Sequence, residues 1–492
     1  MKSIFSALRT SPWVGAATAC ALLTACAPVN EAFHPPEAPT GRDYLPAPER
    51  TEAGRAPQPG GELPSQWWQL FPSPALDALI REAIAGNPTL RQARASLEAA
   101  VAQTRATQGG LAPSLDLSAQ PQLDRLNLAS FGFSGGPFPN NPHFSLYSVG
   151  ATASYPVDVF GGLHSGVEAA QALQDAQSHE VDAALTSLTG QTAAQAATLA
   201  ALSAELDVVD QILADDRENL AMVRAALRAG GEPRSAQVSA QSQLAADESL
   251  RPALVNRQDA ARHGLTILLG KSPSEASAFA FSLEDFPLPK SLPVSLPSDL
   301  VHRRPDILAS EARLHAAAAE IGVATAKLYP QVTLSAQLTQ SALHPEKIFD
   351  FQSTAYTLLA GVTQPVLGGG ILQAGVTAAK ARRREALAAY QATVLTAFGQ
   401  VADLLSAVGH DEEALDAQRR SESLADQSLA LARKAYGAGA TGLFPVIDAS
   451  RQLNSARLAR VRADAQLRLD LIALFVASGK GVSAQSGSDD AG

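Results

Sequence analysis

Residues 111–120 read LAPSLDLSAQ, and residues 328–337 read LYPQVTLSAQ. The likeness runs outward from there. Shifted by 217 positions, Pro88, Ala95, Leu97, Ala99, Ala100 and Ala102 meet Pro305, Ala312, Leu314, Ala316, Ala317 and Ala319. A shift of 209 then brings Tyr147, Pro156-Val157, Gly161, Gly166-Val167, Ala229-Gly230 and Gly270-Lys271 onto Tyr356, Pro365-Val366, Gly370, Gly375-Val376, Ala438-Gly439 and Gly479-Lys480. The change of offset gives the first copy the longer loop, about Pro121–Phe144, against about Leu338–Ser353 in the second. Chance matching in alanine-rich sequence gives scattered identities. Two ungapped blocks with prolines and glycines in register imply two copies of one structural unit.

Within each copy the hydrophobic period changes. Leu115, Leu117 and Ala119 alternate with Ser114, Asp116, Ser118 and Gln120, and Val332, Leu334, Ala336 and Leu338 alternate with Gln331, Thr333, Ser335 and Gln337. Tyr147, Val149, Ala151, Ala153 and Tyr155 keep the same period, as do Leu358, Ala360 and Val362. These read as four two-faced strands, at about 114–122, 145–156, 331–340 and 354–365. Locally such strands fit a half-buried soluble sheet as well as a water-filled barrel in lipid. Two long helices follow, at about 163–228 and 371–436, because no proline falls between Pro156 and Pro233 or between Pro365 and Pro445. Sixty-odd helical residues span roughly 100 Å, which suits a tube or long bundle better than a compact domain. Shorter return helices fit Arg234–Leu269 and Phe444–Val476.

Four strands leave two open sheet edges, and about eight is the smallest closed barrel in lipid. Closure therefore requires several chains. Three copies give a 12-stranded β-barrel continued by an α-helical barrel: a mixed α/β membrane protein built from a duplicated unit.

Composition supports this reading. The 492 residues are only 17% charged and 5% aromatic, with a net charge of −10. An acidic chain is a poor ligand for polyphosphates, which argues against nucleic acid. The only two cysteines are Cys20 and Cys26, too few for a disulfide framework. Lys2 and Arg9 precede the apolar stretch Trp13–Leu23, too short to span a bilayer, so residues 1–25 read as a secretory signal. Beyond Cys26 no run of 18 or more apolar residues is expected to form a transmembrane helix, so any span must be closed β-structure. Residues 26–64 read as an extended tether rich in Pro and Gly, 65–271 and 297–481 as the two repeats, 272–296 as their linker, and 482–492 as a disordered tail.

The chain resembles the TolC/OprM-type outer-membrane factors, specifically the NodT-like lipoprotein subunits of tripartite efflux systems. The resemblance rests on Trp67-Trp68-Gln69-Leu70-Phe71 with Leu76 and Asn87-Pro88, and on Leu296-Pro297-Ser298-Asp299-Leu300 followed by Arg303-Arg304-Pro305-Asp306-Ile307. It continues through Tyr329-Pro330, Tyr390, Val394-Leu395 and Val446-Ile447-Asp448-Ala449. Leu367-Gly368-Gly369 departs from the aromatic and acid usual at that turn. Leu23-Thr24-Ala25-Cys26 resembles a lipobox, which implies acyl chains on Cys26. Ala27, where an aspartate would favour inner-membrane retention, points to the outer membrane.

The resemblance implies a homotrimeric passive conduit for small molecules such as drugs, in outer-membrane lipid and reaching into the periplasm. It would be served by a periplasmic adaptor and an inner-membrane RND-type transporter. A conduit for type I protein secretion would share the fold, and a metal-ion efflux channel is a further alternative. No enzyme activity and no cofactor beyond the covalent lipid are expected. Gly437-Ala438-Gly439-Ala440-Thr441-Gly442 satisfies the dinucleotide fingerprint, but it joins two helices instead of following a strand. Gly368-Gly369-Gly370 lacks the Lys-Ser/Thr of a phosphate loop, and His410-Asp411-Glu412-Glu413 reads as a solvated helix face. The turns containing Gly230, Gly231, Gly437, Gly439 and Gly442 would form the mouth where an adaptor docks. Matched by motif, the family's gate falls on Phe444 and Asp448, with Ser239 at the first-copy equivalent of the aspartate. The alternatives are pairing of Asp448 with Arg451 and packing of Phe444 at the tip.

Overall fold

The computed structural model describes residues 33–36, 44, 57–59, 64, 66–127, 143–276, 279–289, 292–294 and 297–479. The leader with Cys26, residues 128–142 of the first loop and the C-terminal tail lie outside them. In chain order the elements are β1 (Pro57–Pro59), α1 (Pro74–Gly86), α2 (Pro88–Gly109), β2 (Ser114–Arg125), β3 (His143–Val157), α3 (Gly162–Arg228), α4 (Arg234–Glu248) and α5 (Leu250–Leu268). Then come β4 (Leu292–Val294), α6 (Pro297–Val301), α7 (Pro305–Ala326), β5 (Gln331–Ala342), β6 (Thr354–Thr363), α8 (Ile371–Gly437) and α9 (Phe444–Ser478). The chain divides into two compact units. One comprises residues 1–35, 98–175 and 311–388, the other residues 36–97, 176–310 and 389–492.

The first unit is organised by one antiparallel sheet in the order β2-β3-β5-β6. The two repeat hairpins meet at β3 and β5, with Ala153 opposite Ala336 and Tyr155 opposite Leu334. Edge strand β2 carries Pro121 opposite Tyr147 of β3, and its other side has no partner strand within one chain. Leu117 of β2 is 81% exposed and Leu358 of β6 is 76% exposed, so the apolar face is uncovered within one chain. Below the first hairpin, Asp158 Oδ2 accepts a hydrogen bond from the His164 backbone N–H at 2.8 Å, and Phe160 stacks on Tyr329 at 4.8 Å. The second copy, with Leu367 in place of an acid, has Leu367 97% exposed.

The second unit is helical, with its main core around Trp67, Phe71, Ile80, Leu199, Leu265, Phe286 and Phe475. Ser73 Oγ caps α1 through the Leu76 N–H, and Asn87 Oδ1 accepts from the Leu90 N–H while Pro88 opens α2. In buried α3, Thr189 and Thr192 donate back to the carbonyls of Thr186 and Leu188, which satisfies hydroxyls that no water reaches. Gly190 lets α9 approach closely: a Cβ there would lie 2.6 Å from Val476 Cγ2.

Three features differ from the sequence reading. The return helix expected at Arg234–Leu269 is two helices, divided at Ser249. Pro252, in the first turn of α5, has no N–H to offer the Glu248 carbonyl. Within the expected tether, β1 pairs in parallel with β4, and Tyr44 packs edge-on to Phe398 at 6.0 Å. Helix α8 contains an 18-residue window that by length and composition could cross a membrane, contrary to the expectation that none exists. Its Tyr390, Val394, Ala397, Val401 and Leu405 instead pack in a second core cluster with Leu300, Ile307 and Leu471.

Candidate functional site

The helix-to-helix turns carry the site residues expected from sequence, and each turn is closed by the same chemistry. The Gly230 N–H donates to Leu227 O and the Gly231 N–H to Ala226 O. In the second copy the Gly439 N–H donates to Tyr436 O and the Ala440 N–H to Ala435 O. This pattern demands a left-handed residue, and Gly230 and Gly439 have φ of 77° and 72°. Gly437 is the last residue of α8, and Gly442 lies 3.8 Å, at its would-be Cβ, from Glu232 Oε1. The Leu443 N–H donates to that same Glu232 oxygen at 3.4 Å, tying one turn to the other. Leu443 itself is buried in a third cluster with Leu220, Val223 and Val446.

Phe444 begins α9 and is 75% exposed, so it is not packed into the tip within one chain. Asp448 lies one turn further on. Its carboxylate accepts from Gln452 Nε2 at 2.8 Å, on its own helix, where pairing with Arg451 was the alternative. Asp448, Arg451, Gln452 and Asn454 line a groove of about 990 Å3 together with Gln243 and Asp247 of α4 and Gln418 and Ser421 of α8. Among the described residues no group of three or more His, Cys, Asp or Glu could hold a metal ion.

Sequence reading missed a set of polar residues between α3, α4 and α9. Asn219 Nδ2 donates to Ser450 Oγ at 3.4 Å, and Arg457 pairs with Asp215 at 3.7 Å. Buried Asp216 faces Asp247, whose Oδ2 accepts from Gln243 at 2.7 Å. The signal was present: Asp216 sits within the stripe Val209, Leu213, Leu220 and Val223, at alternating spacings of four and three. Burial, then the hydrogen bond and repulsion from Asp247, push the Asp216 carboxyl up to about 7, while Arg451 works against them. Asp411 is likewise pushed up to about 7 by burial and by Asp470 on α9. In the His410–Glu413 stretch, His410 and Glu413 are exposed, while Asp411 turns against α9.

Because the folded carboxyl binds its proton more tightly than the unfolded one, its contribution to stability is complete below the ordinary carboxylate range. It is lost as pH rises through about 7. We expect Asp216→Asn to flatten part of the fall in melting temperature between acidic and mildly alkaline buffer. Equal slopes for the variant and wild type would refute this assignment.

The family model described as outer membrane efflux protein matches residues 79–271 and 296–480. A pyoverdine export outer membrane protein of Pseudomonas putida, OpmQ, is 32% identical over 441 residues, covering 86% of this chain and 90% of its own length. Outer membrane protein OprJ of Pseudomonas aeruginosa is 29% identical, covering 89% and 91%. The solved structure of the outer-membrane channel OprN superposes with a TM-score of 0.84 at 26% identity, covering 92% of this chain and 99% of that one.

Proposed function

The chain belongs to the outer membrane efflux protein family, and from that premise we propose that three copies of it, anchored through acylated Cys26, form a passive conduit for small molecules. Its place as an outer-membrane efflux channel follows from membership. The observation that carries the assembly is the sheet: four strands, apolar on one face, with β2 and β6 at its open edges. Hydrocarbon cannot hydrogen-bond such edges, so β6 of one copy would meet β2 of the next until the barrel closes, and three copies supply twelve strands.

The likeness to a pyoverdine export protein supports small-molecule efflux over type I protein secretion. Two methionines in the whole chain give no support to soft metal ions as cargo. A periplasmic adaptor would dock on the turns at Gly230-Gly231 and Gly437–Gly442, and an inner-membrane RND-type transporter would supply the energy. At the mouth, Phe444 and Asp448 would face the pore and form an apolar ring and a ring of three carboxylates. Like charges held close in a narrow passage attract cations.

Planar-bilayer recordings of purified trimers test both levels. Phe444→Ala should raise conductance, and Asp448→Ala should weaken cation preference. Unchanged values in both variants remove these residues from the gate. Detergent-solubilised protein that runs as a monomer without β signal in circular dichroism would sink the conduit itself.

A further inference from the structure

The sheet's apolar face carries a groove of about 510 Å3. It is lined by the short side chains of Ala153, Ala336 and Ala360 on three neighbouring strands, and by the longer Tyr155, Leu334 and Leu358. Among the described residues no charged side chain lines it. Such a trough suits an alkyl chain and offers nothing to a phosphate or a carboxylate.

A second observation shows where the chain's N-terminal stretch is held. Phe33 stacks on the ring of His315 of α7, with centroids 4.5 Å apart and planes 11° from parallel. His315 Nε2 in turn lies 2.9 Å from Glu168 Oε1 of α3. Glu168 stands six residues from the start of α3, and His315 eleven residues before the end of α7, so the clamp sits about 9–17 Å from the helix ends that adjoin the sheet. Seven residue steps lead from Cys26 to Phe33, and fully extended they reach at most about 25 Å. Cys26 can therefore reach the base of the sheet, where Val157 pairs with Val332, with several ångströms of chain to spare. The groove begins two residue pairs above, at Tyr155 and Leu334. Its lower end thus lies within reach of Cys26 and of the acyl chains it carries.

We propose that this groove is the seat of the acyl chains of Cys26, with the Phe33–His315–Glu168 contact setting how far the anchor reaches. The proposal rests on the reading of Cys26 as acylated. The seat would fix the lipid against the sheet of its own chain, so that the anchor adds packing to the barrel as well as holding it in the membrane.

The test places a photoreactive benzophenone side chain at Leu358 of the full-length protein in native outer membranes, with Leu117 on edge strand β2 as the comparison position. After irradiation, mass spectrometry should find the Leu358 peptide joined to the acylated Cys26 peptide, with far less of that adduct from Leu117. Phe33→Ala should lower the Leu358 adduct severalfold by freeing the clamp. Equal yields at both positions, or adducts with phospholipid alone, in a sample whose intact mass shows Cys26 acylated, overturn the seat and leave the lipoprotein reading standing. An unacylated Cys26 overturns both.

Discussion

Trp67→Ala is expected to destabilise the helical unit by about 3–5 kcal/mol, the range typical of emptying a large aromatic site in a packed core. Trp67 is 1% exposed on a short 3₁₀ turn, Trp67–Leu70, and meets three other rings. It stands edge-on to Trp68 at 6.2 Å and to Phe71 at 6.4 Å, and tilted on Phe475 of α9 at 6.3 Å. Phe71 carries the contact on to Phe286 of the inter-repeat linker at 5.5 Å. Trp67 and Phe71 together therefore join the segment before α1, the linker and the last helix. Leu70 on the same turn is partly exposed and supplies the comparison, since Leu70→Ala should cost about 0.5 kcal/mol or less. Thermal melts in detergent that place the two variants together would refute the keystone role of Trp67.

The second large effect is expected at Arg468. Its Nε donates to the carbonyls of Leu283 and Phe286 at 3.1 and 2.9 Å, and its Nη1 donates to Asp464 O at 3.0 Å and pairs with the Asp464 carboxylate. Both side chains are nearly buried. Arg468→Met keeps the length of the side chain but strands a buried carboxylate and two carbonyls, a loss of about 3–5 kcal/mol. Adding Asp464→Leu removes the orphaned charge and should recover much of that loss. A double variant no more stable than the single one would show that the carboxylate is not the source of the cost.

Neither effect was legible in the sequence, although both residues lie in elements that were. Trp67 entered through a family resemblance, with no indication of what it touches. Arg468 was one basic residue among several on a helix whose partners lie 182 and 185 positions away. Asp216 stood in plain view within an apolar stripe, and reading that stripe would have marked it as buried. The identity of its partner Asp247 depends on how α4 lies against α3. The break at Ser249 was equally available, since Pro252 stands in the run that was read as one helix.

What the sequence determined by itself was the duplication, the four strands and their apolar parity, the two 67-residue helices and the glycine turns between helices. Each depends on chemistry acting over a few residues: alternation at period two, the absence of proline, and the tolerance of glycine for positive φ. Tertiary structure alone decided the strand order β2-β3-β5-β6, the seating of Phe33 and Tyr44, the carboxyl pairs and the capping of the linker by Arg468. Those contacts join residues tens to hundreds of positions apart. Their partners are set by the register in which whole helices and strands settle, which local periodicity leaves undetermined.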